Sequence, residues 1–102
     1  MQKVFREMAK QQITNILHKI IGETFIADLT LDGISVEFFV PKSNKAIIVH
    51  EEGHDHPDAY FAKSADCNRL QALGKDVLLL WVDYEETSWT LEVEKKLTSF
   101  FI

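Results

Sequence analysis

The sequence predicts an α/β domain of the α+β type, with a mixed central sheet flanked by helices, and three observations carry that prediction. Stretches of helical periodicity stand at both ends of the chain. Between them, an Asp-Gly pair joins two runs that alternate apolar and polar residues. Later, "DVLLLWVDY" is almost continuously apolar, as in a central strand covered on both faces.

Along the chain, the first element is a helix. Phe5, Ala9, Ile13, Ile16, Leu17 and Ile20 recur at steps of three and four, so residues 2–21 read as helical, with Gly22 as the stop. "TFIADLTL", residues 24–31, alternates, and Asp32-Gly33 turns it into "ISVEFFV". Pro41 and the polar "KSN" make a second turn into a third strand, "KAIIVHE". Pro57 suits the first turn of a helix running to Leu73, with Gly74 just beyond it. On that helix Ala59, Ala62, Leu70 and Leu73 form the expected inward stripe, with Asp66 near its centre and Lys63 or Arg69 as its partner. Cys67, at the stripe's edge, reads as a packing residue. Trp89, Val93, Leu97 and Phe100 give a last helix. The order is α-β-β-β-α-β-α, over a single domain spanning residues 1–102.

Composition narrows the function classes. Hydrophobic residues make up 46% and charged residues 26%, as in an ordinary globular domain. No apolar run approaches the roughly 18 residues of a membrane span, there is no signal-peptide pattern, and the one cysteine forms no intramolecular disulfide; a cytoplasmic location is the expectation. The net charge of −5 weighs against tight binding of a phosphate backbone, although a site that holds divalent cations is acidic in its own right.

The densest chemistry is "KAIIVHEEGHDH", residues 45–56, where an apolar strand runs into His50, Glu51, Glu52, His54, Asp55 and His56. Alternation puts Ala46, Ile48, His50 and Glu52 on one face and Ile47, Val49 and Glu51 on the other. With the two strands paired through the turn at Pro41, Glu37 is expected on the His50 face, where acid and imidazole would converge. The competing reading has Glu37 on an exposed sheet face, His50 bonded to backbone or water, and Asp55 capping the next helix.

"VEFFVPKSNKAIIVHEEGH" followed by "NRLQALGKDVLLLW" resembles the small PD-(D/E)XK nuclease-like domains related to very short patch repair endonucleases, over residues 33–82. The resemblance implies a restriction-endonuclease-like fold and carboxylates that hold Mg2+ or Mn2+ for phosphodiester cleavage. By that resemblance Glu37 stands at the first acidic position, His50 where the family carries Asp or Lys, and His54 at the histidine after the strand. Ile48 occupies the position of the second metal-binding acid, and Asp66 that of a basic residue. Glu7 could supply a helical carboxylate. Two outcomes are open: a variant centre in which Glu37 and His50 are catalytic and Glu37, His50, Glu52 and His54 bind the metal, or a weakened or inactive site on a retained scaffold. Ile48 and the negative charge favour the second. The alternative function is a non-catalytic protein-interaction or self-association domain, whose aromatic ending "SFFI" and long first helix would form a homodimer surface. A third is transition-metal binding through His50, His54 and His56, with a spacing unlike closed structural sites.

Overall fold

The turn at Asp32-Gly33 fixes the first hairpin. Both residues lie at positive φ, 51° and 81°, the geometry of a two-residue turn matched to the right-handed twist of its strands. It closes β1 (Ile26–Leu31) onto β2 (Ile34–Val40), with Leu31 opposite Ile34 and Ile26 opposite Phe39. The computed structural model describes the backbone of residues 2–53 and 55–101, and side chains from Met8 onward. The helices are α1 (Gln2–Ile20), α2 (Ala59–Ala72) and α3 (Trp89–Phe101), and the remaining strands are β3 (Lys45–Glu51) and β4 (Asp76–Val82). The sequence-derived order α-β-β-β-α-β-α holds throughout.

The four strands lie in the order β1-β2-β3-β4, the first three antiparallel and β4 parallel to β3. Helix α2 supplies the crossover that parallel pairing requires. The apolar run of β4 is therefore an edge strand, not the central one its composition suggests. Its apolar character comes instead from being covered on both faces. Leu80 and Val82 join the core of α1 and α3, whereas Val77 and Leu79 pack on the side of α2.

Two cores result. On one face Ala9, Ile13 and Leu17 of α1 and Val93 and Leu97 of α3 enclose Phe38, Val40, Ile47 and Val49. On the other, Cys67 and Leu70 of α2 cover Ile34, Val36, Ala46 and Ile48. The inward stripe of α2 matches the expected one only in part: Leu70 is buried as expected and Cys67 packs beside it, whereas Ala62 and Leu73 are exposed. Asp66 pairs with Arg69 at 3.5 Å, and Lys63 is committed elsewhere. The aromatic ending is only partly available as a surface, because Phe100 and Phe101 pack against the α1–α3 core.

Strand register sets the direction in which Glu37 points. β2 pairs with β3 only at Phe38, Phe39 and Val40, opposite Ile47, Ala46 and Lys45. Val36 and Phe38, two residues apart, belong to different cores, so β2 rotates about Glu37 as it leaves β3. Opposite Glu37 on the other side, Asp28 adopts φ 56° and falls out of the β1–β2 register.

Gly33→Ala should cost about 1–2 kcal/mol, since nothing crowds a Cβ there and only the left-handed backbone is penalised. Urea denaturation would show this as a lowered midpoint at unchanged slope.

Candidate functional site

Where β2 leaves β3, the β3 edge would be left with bare backbone groups. Three side chains take them. The Val49 N–H donates to Glu37 Oε2 at 2.9 Å. The Lys63 ammonium, arriving from α2, donates to the Val49 carbonyl at 2.7 Å. The Glu51 N–H donates to Asp55 Oδ2 at 2.8 Å, and Lys63 reaches the same Asp55 oxygen at 2.8 Å. Side chains thus replace the missing ladder, satisfying groups that would be costly to bury bare.

The gap is a cavity of about 140 Å³ lined by Lys10, Asp28, Glu37, Glu51, Asp55, Lys63 and Tyr84 over an apolar floor of Ile13, Phe38 and Val49. Lys10 forms an ion pair with Asp28 across its mouth. Tyr84 donates its hydroxyl to Glu51 Oε1 at 2.8 Å, and both residues are buried. Burial pushes the Glu37 carboxyl above its ordinary value of 4.5, outweighing the Val49 N–H and the nearby Lys63 charge, which pull the other way. Burial also pushes the Cys67 thiol up to about 11, helped by the Asp66 and Glu37 charges, which suits a packing residue and not a nucleophile.

The expected convergence of Glu37 and His50 does not occur. Continued pairing would have set Glu37 opposite Ile48, on the His50 face, but pairing stops at Phe38 and the carboxylate turns to the β3 edge. His50 follows the alternation to the opposite side. There it lines a second pocket with Glu52, Pro57, Tyr60, Phe61 and Trp81. Its ring lies 4.5 Å from that of Trp81, its register partner on β4. Glu52 thus shares a pocket with His50, as alternation predicts, and Glu37 is in the other cavity. His56 accepts the Asp58 N–H at 3.1 Å on the exposed loop. His54 and the side chain of Glu7 lie outside the described residues. Asp55 is not the cap of α2; the capping position falls to Asp58, whose side chain makes no capping bond.

Sequence reasoning assigned no part in the site to Glu51, Lys63, Lys10 or Tyr84. Glu51 was legible in principle, since strand parity puts it with Val49, opposite to His50. Lys63 reaches the site from fourteen residues beyond Val49, and no local pattern announces it.

A divalent ion needs converging oxygens with lone pairs free of protein donors. Among the described residues no three Asp, Glu, His or Cys side chains form a group able to hold one. Glu37, Glu51 and Asp55 each give an oxygen to a donor of the protein itself. Among the described residues this donor set assembles no metal site.

No family model matches the chain, and no curated protein does. Among solved structures the chain is similar to the catalytic domain of the homing endonuclease I-Bth0305I, at 17% identity and a TM-score of 0.66, covering 90% of this chain and 91% of that one. The likeness is one of fold, an α+β arrangement with a four-stranded mixed sheet that the endonuclease domain shares.

Glu37→Ala should cost about 1–3 kcal/mol, because it orphans the Val49 N–H, whereas Glu37→Gln keeps an acceptor and should cost far less. The folded chain holds the Glu37 proton more tightly than the unfolded chain, so the stability this proton adds is fully present below 4.5 and is lost as pH rises through the folded-state value. Any advantage of Glu37→Gln at neutral pH should therefore shrink as pH falls toward 4.5, and thermal melts at several pH values would show it. Lys63→Met and Asp55→Asn should couple by about 0.5–3 kcal/mol in a double-mutant cycle, read from denaturation midpoints.

Proposed function

We propose that this chain is a divergent nuclease-like domain in which phosphodiester cleavage is weakened or lost, the acidic cavity having been turned to holding a split sheet together. The observation that carries this reading is Lys63, whose ammonium occupies the Asp55 carboxylate and the Val49 carbonyl where a catalytic ion would need open oxygens. A cation entering the cavity would have to displace that ammonium and compete with the Val49 N–H for Glu37. Ile48, packed in the α2-side core, adds no ligand at the position where the family resemblance expects an acid.

The scaffold supports a nucleic-acid-related ancestry, since the likeness to an endonuclease catalytic domain extends over nearly the whole chain. The net charge of −5 speaks against strong backbone binding by this domain alone. A variant centre built from Glu37, His50 and Glu52 has less support, because the acid lines one cavity and the other two residues line another. No helix among the described residues is long and apolar enough to cross a membrane.

Two measurements test the proposal together. Titrating Mn2+ into the protein in a calorimeter should give no stoichiometric heat, and supercoiled plasmid should be nicked no faster with the protein than with buffer. Mn2+-dependent nicking that disappears in both Glu37→Ala and Glu37→Gln would overturn it. The second variant guards against a loss caused by misfolding alone.

A further inference from the structure

The pocket on the His50 side shares Asp55 with the acidic cavity, and its other walls are chemically specific. It has a volume of about 700 Å³, and four of its lining residues carry aromatic rings: His50, Tyr60, Phe61 and Trp81. The rings meet at steep angles. Tyr60 stands at 62° to Trp81 with centroids 5.1 Å apart, His50 at 80° to Tyr60, and Phe61 at 75° to Tyr60. His50 and Trp81 are tilted at 45°, so the four touching rings form a cluster whose faces point in several directions and not one parallel stack.

Solvent exposure points the same way. Phe61 is 71% exposed and Trp81 40%, unusual for large aromatic rings with a core within reach. Charge adds a third observation. Glu52 stands exposed among the lining residues, one strand step beyond His50, and among the described residues no lysine or arginine lines the pocket. Aromatic faces carry negative quadrupole potential, a carboxylate adds to it, and the whole chain is negative. A phosphate-bearing guest is disfavoured there, and a cation is favoured.

We propose that the pocket of His50, Tyr60, Phe61 and Trp81 binds an organic cation, an alkylammonium group held over the aromatic faces and attracted by Glu52. The group enters past Phe61 and rests against Trp81 and Tyr60. This site meets the acidic cavity at Asp55, none of its four rings lines that cavity, and it stands whether or not that cavity cleaves phosphodiesters.

The test follows the indole N–H signal of Trp81 by NMR, assigned by its loss in Trp81→Phe. Choline and a trimethyllysine tripeptide are titrated at millimolar concentration, with 3,3-dimethylbutanol as the uncharged match to choline and deoxyadenosine monophosphate as the nucleotide control. Saturable shifts with either cation, and none with the alcohol, support the proposal. Tighter binding of choline assigns a free small molecule, and tighter binding of the peptide assigns a side chain of a partner. Phe61→Ala, at an exposed position, should weaken binding about fivefold. Glu52→Gln should weaken it about threefold, while the alcohol stays silent in both variants. No shift with either cation, an equal response to the alcohol, or a stronger response to the nucleotide would each overturn it.

Discussion

A sheet cannot end its pairing inside a protein without something taking the freed backbone groups, and that constraint organises this molecule. β2 and β3 separate after three paired residues, in the interior of the fold. Val49 and Glu51 then face a gap where a strand should be. Water could fill such a gap, but the adjacent apolar floor of Ile13 and Phe38 makes a charged, hydrogen-bonded lining the more economical arrangement. Glu37, Lys63 and Asp55 form that lining, and each comes from a different segment of the chain. The split is in this sense a joint between β2, β3 and α2.

The same joint defines what the cavity can do. Carboxylates gathered in one hollow are the raw material of a cation site, and the fold is one that an endonuclease catalytic domain also uses. What distinguishes a ligand from a structural acid is whether its lone pairs are already engaged. Here the Val49 N–H, the Tyr84 hydroxyl and the Lys63 ammonium engage them. Burial raises the proton affinity of Glu37, and the Val49 N–H and the Lys63 charge work against that rise.

Strand parity divides the chemistry of "VHEE" between two faces. Glu51 goes toward α1 and Tyr84; His50 goes toward α2 and its aromatic neighbours. The dense cluster of acids and imidazoles is therefore two half-clusters back to back. One completes the sheet's joint, and the other lines an aromatic pocket that Glu52 and Asp55 also line.

By itself the sequence determined the elements, their order and the first hairpin, because those depend on short-range rules: the spacing of apolar residues along a helix, alternation along a strand, and the positive φ that Asp-Gly supplies at a tight turn. Alternation also placed His50 and Glu52 together correctly. Only the tertiary structure decided the edge position of β4, the inward face of α2 and the side to which Glu37 turns. Each of these depends on where pairing between distant segments begins or stops. A carboxylate one residue past the last rung is free to rotate, and the group that captures it, the Val49 N–H, lies twelve positions further along the chain.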